Sequence, residues 1–214
     1  MKVLITGTSR GIGKGIAEYF LSNGHEVVGF DKEKQTINHE NYTHKIVDIF
    51  KDTLPDIDDV DILINNAGTQ NQNDIDVNLK GTIKGTEKYA FQDHIKSVLF
   101  IASSSGSTGS EFPEYAASKG GVIAYMKNVA LRVAKFKATS NSISPGGVYT
   151  ELNNHVINDK KLWNEVMNET LLPKWATVEE IASWAYFVTV VNKSMTAQDI
   201  LIDNGEAAKA NFVW

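Results

Sequence analysis

Short apolar runs bounded by turn residues recur along the chain, at positions 3–5, 27–30, 46–47, 62–64, 98–101 and 200–202. Runs this short, apolar at consecutive positions, read as strands buried on both faces, because a strand with one wet face alternates apolar and polar residues. Between several of them lie helical periods. Over residues 12–23, Ile12, Ile16, Tyr19 and Phe20 share one face, and Gly24 supplies a stop. Further helices are expected over 78–91, 115–136 and 178–191. Strand, helix, parallel strand is a right-handed crossover, and its repetition gives a parallel sheet covered by helices on both sides. The expected architecture is a doubly wound three-layer α/β/α sheet of the Rossmann type, in a single domain spanning 1–214.

Composition narrows the function classes. Apolar residues at 42% and charged residues at 22% suit a self-folding globular chain, and no Pro/Gly/Ser-rich linker divides it. A net charge of -5 with no Lys/Arg run argues against nucleic acid as a partner. The absence of cysteine excludes disulfides, thiolate metal sites and cysteine nucleophiles, and no metal site is expected. Met1 and Lys2 lead directly into Val3, without the basic and apolar regions of a leader, and no apolar run approaches membrane-spanning length. These features point to the cytoplasm and to no membrane association.

The first strand runs into Thr6-Gly7-Thr8-Ser9-Arg10-Gly11-Ile12-Gly13, which opens the first helix. Glycines here let the chain turn tightly and approach an anion closely, and N–H groups at the helix start face a pyrophosphate. Asp31 closes the second strand, where a carboxylate accepts hydrogen bonds from an adenosine ribose and repels an added 2′-phosphate. NAD is therefore the favoured cofactor. Arg10 and Lys32 are the counter-signal, since either could meet the 2′-phosphate of NADP, so both cofactors stay open.

Four further segments follow in order: Asn65-Asn66-Ala67-Gly68, Asp76-Val77-Asn78-Leu79, Tyr115-Ala116-Ala117-Ser118-Lys119 and Pro145-Gly146-Gly147-Val148-Tyr149-Thr150. With the glycine turn they resemble the T-G-x-x-x-G-x-G, N-N-A-G, Y-x-x-x-K and P-G motifs of the short-chain dehydrogenase/reductase family, in its compact single-domain branch. The resemblance reaches 200–205, similar to the family's last strand and D-G-G ending. It implies a dinucleotide site lined by Gly7, Ser9, Arg10, Gly11, Ile12, Gly13, Asp31, Asn66, Ala67 and Gly68. Asp48 and Ile49 would lie by the adenine, and Pro145, Gly146, Val148 and Thr150 by the nicotinamide. Read from the residues alone, Asp48 is more simply a turn or helix cap.

Tyr115 and Lys119 stand four apart at a helix start, so their side chains share one face. A phenol with an ordinary pKa of about 10 is a poor base near neutrality, and a neighbouring ammonium is expected to lower that value. Tyr115 then exchanges the proton of an alcohol or carbonyl, while Lys119, by resemblance, also bonds the nicotinamide ribose. The resemblance also implies a serine that polarises the substrate oxygen, placed by the family's spacing at Ser103, with Ser104 as runner-up in the Ser103-Ser104-Ser105 cluster. Asn78 is, by resemblance, the asparagine that disrupts its helix and serves a proton relay; an N-cap is the alternative.

One departure stands out. Only residues 69–77 separate the Asn-Asn-Ala-Gly segment from Asn78, and 69–74 is polar with no apolar face, so the helix usual there is expected to be absent or a stub. That helix ordinarily borders the pocket and a subunit contact, which favours a homo-oligomer that is a dimer instead of the usual tetramer, with the apolar ending Phe212-Val213-Trp214 as weak support. Residues 150–175 read as a substrate lid, and Glu111, Phe112 and Tyr149 as pocket residues. The leading expectation is an NAD(H)-dependent oxidoreductase interconverting a secondary alcohol and a carbonyl in a small-molecule substrate. The alternatives are an NADPH-dependent carbonyl reductase and a non-catalytic NAD(P)-binding sensor; an epimerase of the extended branch would need a further substrate domain.

Overall fold

A computed structural model of the chain describes residues 1–209; the apolar ending Phe212-Val213-Trp214 lies outside the described residues. Seven parallel strands form one sheet in the order β3-β2-β1-β4-β5-β6-β7. They are β1 (Lys2–Thr6), β2 (Glu26–Asp31), β3 (Tyr42–Ile46), β4 (Ile62–Asn65), β5 (Ser97–Ile101), β6 (Thr139–Pro145) and β7 (Asp199–Ile202). Period two along each strand sends neighbours to opposite faces. Leu4, Leu63, Val98 and Phe100 thus enter a core with Tyr89, Val122, Met126 and Val129. Val3, Ile5, Ile62, Ile64 and Leu99 enter another with Ile16, Phe20, Ala182 and Ala185. Both faces are covered, as consecutive apolar residues require.

The helices are α1 (Gly11–Ser22), α2 (Thr82–Tyr89), α3 (Ser105–Thr108), α4 (Pro113–Val133), α5 (Asn154–Ile157), α6 (Lys160–Met167) and α7 (Val178–Tyr186). Gly24 takes a left-handed φ of 76° after α1, the conformation its stop signal required. The expected helix over 78–91 begins earlier and ends earlier: a π-helical stretch, Ile75–Gly81, feeds α2, which stops at Tyr89. Likewise α4 starts at Pro113, whose fixed φ suits the first helical turn, and passes into a 3₁₀ turn, Ala134–Phe136. In α7 a capping box joins Thr177 and Glu180, and a π-helical turn, Phe187–Val191, completes the expected span.

Two strands differ from expectation. The third lies at Tyr42–Ile46, with Tyr42 buried and Ile46 exposed, because it is an edge strand that needs few apolar side chains. The sixth, Thr139–Pro145, carries no apolar run, yet it is an interior strand buried from Ser140 to Pro145. Its polar groups are paired: Ser140 Oγ donates to Met126 O, Asn141 Nδ2 to Met195 O, and Ser142 and Ser144 Oγ both to Asp199 Oδ1 at 2.6 and 2.7 Å. Buried hydroxyls left unpaired cost about 1–3 kcal/mol each. Asp199→Ala should therefore lower the unfolding free energy by about 2 kcal/mol in a urea melt; a change below about 0.5 kcal/mol, the size of an ordinary surface substitution, would contradict this role.

Candidate functional site

Strand order reverses between β1 and β4, so their following turns diverge and open a crevice at the carboxyl edge of the sheet. The two turns are tied together. Thr6 Oγ1 accepts from Asn66 N and Ala67 N, each at 3.0 Å, while Asn66 Nδ2 donates to Thr6 O and Gly7 O. Gly7 and Gly11 sit at φ 78° and 55°, left-handed positions that favour glycine. A side chain at Gly13 would strike Gly7 O and Asn66 Nδ2, so this glycine is fixed by close approach.

The start of α1 suits an anion. Arg10, its N-cap residue, makes no side-chain cap, and the first turn carries no acidic residue. The first N–H groups of the helix therefore face the crevice without an intrahelical acceptor, the donor set a pyrophosphate needs. Thr150 Cγ2 lies 3.7 Å from where a Gly11 Cβ would be, which brings the Pro145–Thr150 segment to the same turn. A groove of about 440 Å³ continues outward between α1 and the segment after Thr150, past Lys14 and Glu151.

Asp31 ends β2 with its carboxylate fixed: Ser9 N donates to Oδ2 and Glu33 N to Oδ1, both at 2.9 Å. The Ser9 hydroxyl donates to Lys34 O, so Ser9 organises the turn through its side chain. Arg10 and Lys32 are exposed. Asp48 Oδ1 accepts from Phe50 N and Lys51 N, the turn cap that its residue type alone suggested. Ile49 is buried against Gly81 and Gly85, which leaves its side chain to core packing. Ile12 is half-buried and packs beside Val148 and Ile181.

Tyr115, Lys119 and Ser103 converge where β5 meets α4. Lys119 is buried, its Nζ donating to Ile101 O at 2.9 Å and lying 5.7 Å from the Tyr115 ring centre. Burial drives the ammonium down to about 8, against the pull of the Asp74 and Glu111 carboxylates. Burial also pushes the Tyr115 phenol up to about 12; the facing Ser103 hydroxyl pulls it down, and Glu111 and Asp74 push it further up. The expected lowering of this phenol by Lys119 is thus not what the folded chain has, because loss of water outweighs the neighbouring amine. Ser103 Oγ accepts from Ser105 N and lies 3.2 Å from Ser105 Oγ. Ser104 instead ties its backbone N–H to Pro145 O. Of the two candidates, only Ser103 faces the phenol.

Asn78 lies inside the π-helical stretch, so the N-cap alternative falls and the local helix disruption holds. Its Oδ1 accepts from Thr69 N at 2.7 Å, and its Nδ2 donates to Thr69 O and Ser118 Oγ at 3.0 Å. Ser118 Oγ donates to Tyr115 O at 2.7 Å. Residues 69–73 form no helix, and Asp74 begins the helical turn that leads into Ile75–Gly81. Residue-type reading missed Thr69, Asp74 and Ser118, which have no motif of their own; the one signal was polarity where an apolar face was due. Beyond Pro145, Val148 and Ala176 pair as a bridge, and Tyr149, Trp163 and Trp175 pack together with ring centres 5.1–6.2 Å apart. Gly147 lies against Trp175 with no room for a side chain.

The family model for short chain dehydrogenase matches residues 1–161. The chain belongs to the short-chain dehydrogenase family. It is 30% identical over 239 aligned positions to a 3-oxoacyl-acyl-carrier-protein reductase FabG of Chlamydia pneumoniae, covering 95% of this chain and 96% of the relative. That alignment is longer than the 214 residues here, so the relative carries residues this chain lacks. A D-beta-hydroxybutyrate dehydrogenase of Rhizobium meliloti is also 30% identical, over 96% of this chain and 98% of its own. Among solved structures, a 4-hydroxyisoleucine dehydrogenase mutant complexed with NADH and succinate matches with a TM-score of 0.84 at 25% identity, covering 99% of this chain and 100% of that one. A putative 2-deoxy-D-gluconate 3-dehydrogenase of Agrobacterium tumefaciens with bound NADP matches at 0.86 and 25% identity, covering 97% and 96%. The short-chain dehydrogenase is accordingly an NAD(P)-binding oxidoreductase acting on CH–OH groups, and no helix among its described residues is long and apolar enough to cross a membrane.

The buried amine gives a stability test. A lysine whose folded-state pKa falls from 10.5 to about 8 binds fewer protons folded than unfolded, so its penalty is full below about 8 and fades as pH rises toward 10.5. Lys119→Met should therefore gain most against the parent at pH 7 and lose that advantage by pH 10, by on the order of 1–3 kcal/mol. A difference in unfolding free energy that stays constant over this range would contradict the assignment.

Proposed function

We propose that this dehydrogenase interconverts a secondary alcohol and a carbonyl in a small-molecule substrate, with NAD(H) as its cofactor. The convergence of Ser103, Tyr115 and the buried Lys119 at one end of the crevice carries the reading. The nicotinamide, when bound, supplies the hydride acceptor in oxidation and the hydride donor in reduction. Ser103 Oγ holds and polarises the substrate oxygen. Tyr115 Oη takes the hydroxyl proton in oxidation or returns one to the carbonyl oxygen in reduction. Lys119 keeps spare donors on Nζ beyond the bond to Ile101 O, available to a ribose hydroxyl, and its charge favours the phenolate when the site is filled. Asn78 holds the relay side of the site through Thr69 and Ser118.

Gly7, Ser9, Gly11, Ile12 and Gly13 would form the pyrophosphate turn, Asn66 to Gly68 the groove wall, and Pro145, Gly146, Val148 and Thr150 the nicotinamide side. Asp31 supports NAD over NADP, because its fixed carboxylate stands where a 2′-phosphate would bring a second negative charge. Residues 150–175 act as the substrate lid; the Tyr149, Trp163 and Trp175 cluster anchors it beside Val148, and Leu152, Leu171 and Leu172 leave an apolar surface on it. The NADPH-dependent carbonyl reductase is the second reading, favoured by exposed Arg10 and Lys32 beside the same carboxylate.

Tyr115→Phe should lower kcat by about 10²-fold or more while NADH binding, read by fluorescence, stays within threefold; near-parental turnover would remove Tyr115 from proton transfer. The parent should bind NADH more tightly than NADPH, and Asp31→Ala should narrow that gap by about tenfold, the equivalent of roughly 1.4 kcal/mol. A parent that prefers NADPH overturns the cofactor assignment.

A further inference from the structure

The segment between the Asn65–Gly68 turn and the π-helical stretch Ile75–Gly81 is organised by one buried carboxylate. Asp74 is 1% exposed. Its Oδ1 accepts from Gln72 N at 3.2 Å and, at 2.8 Å, shares with Gln72 O the single hydroxyl proton of Thr69; its Oδ2 accepts from Asn71 N at 2.8 Å. Asn71 and Asn73 take left-handed φ values of 59° and 51°, so the chain folds back around this side chain. Thr69 is in turn held at both backbone groups by the Asn78 amide, which also donates to Ser118 Oγ, and Ser118 Oγ donates to Tyr115 O. A continuous hydrogen-bonded path therefore leads from Asp74 through Thr69, Asn78 and Ser118 to the backbone of Tyr115.

A second observation is independent of that path. Lys119 is a buried cation that makes no ion pair among the described residues, its amine resting on a neutral carbonyl. Buried charge is costly unless an opposite charge is near. The carboxylates felt at Lys119 are Asp74, the stronger, and Glu111, which also accepts from Gln70 Nε2 at 3.0 Å; Tyr115 is the remaining titratable neighbour. A loop of this shape needs acceptors at position 74, which a neutral side chain supplies in part. A buried carboxylate there adds what the neutral group lacks, a negative charge whose field reaches the amine.

We infer that Asp74 is a positioning residue: it anchors Thr69, and through it Asn78 and the Tyr115 end of α4, and it supplies the negative charge that balances buried Lys119. The consequence for rate rests on the proposed dehydrogenase reading; the charge balance does not.

The test uses full-length Asp74→Asn and Thr69→Val. The first removes the charge, and the second cuts the hydrogen-bonded path while leaving the charge in place. Titration of Lys119 by NMR of side-chain carbon-labelled lysine, assigned with Lys119→Met, reads the charge balance without turnover. Asp74→Asn should move the Lys119 titration to lower pH by about half a unit or more, because a favourable negative charge is lost, and Asp74→Glu should restore it. Thr69→Val should leave that titration within about 0.2 unit of the parent, since no charge changes, and lower kcat about tenfold with the KM for NADH unchanged, since only the alignment of Asn78 and Tyr115 suffers. An unmoved Lys119 in folded Asp74→Asn overturns the charge role, and parental kcat in Thr69→Val overturns the path. Should Asp74→Asn not fold, the Lys119 titration of Asp74→Glu decides the first point: a parental position supports it and a fall overturns it. A parent protein that turns over no alcohol or ketone, with the Lys119 shift as expected, would instead count against the dehydrogenase reading alone.

Discussion

The clasp between the turns after β1 and β4 is what the rest of the site hangs from. Four hydrogen bonds, two between Thr6 and Asn66 and one each reaching Gly7 and Ala67, cross the point where strand order reverses, using one hydroxyl, one amide and backbone groups that the diverging strands leave unpaired. This holds the glycine turn open toward the crevice and sets the direction in which α1 leaves it. Gly13 packs directly on Gly7 and Asn66, so the helix start, the turn and the β4 segment are packed as one unit. Two groups assigned to the dinucleotide are placed relative to that unit: Asp31 through Ser9, and Thr150 through its approach to Gly11.

At the other end of the crevice the governing term is desolvation. Packing Lys119 beneath the end of β5 and Tyr115 beside Ser103 excludes water from both, which costs the lysine its proton affinity and the tyrosine its acidity. A protein selected for stability alone would place apolar side chains there. The buried amine instead gives a site where a small change of charge has a large effect, because little water screens it. The negative charge of Asp74 acts on both members of this pair, raising the amine and the phenol alike.

Much of the fold is readable locally, and the exceptions share a cause. The glycine turn, Asp31 and the Tyr115–Lys119 spacing declare themselves because turn chemistry and helical reach depend on neighbours in sequence. β6 does not: its serines and Asn141 are made compatible with burial by Met126, Met195 and Asp199, distant in the chain. β3 shifts because an edge strand is specified by pairing to β2 more than by its own apolarity. The absence of a helix over 69–73 was legible from polarity, whereas the use of Asp74 as its organiser was not, since no spacing rule marks a carboxylate that folds a loop around itself. The direction of the Tyr115 shift is likewise hidden from local spacing, since burial is a property of the assembled chain.

The most direct test of the account is a crystal structure of the protein with NADH. The pyrophosphate should lie on the first turn of α1 at Gly11 to Gly13, the adenosine ribose on Asp31, and the nicotinamide between Val148 and the Tyr115–Lys119 pair. A dinucleotide seated away from the glycine turn, or with its nicotinamide end remote from Tyr115, would contradict the central claim that the crevice between β1 and β4 is the reaction site.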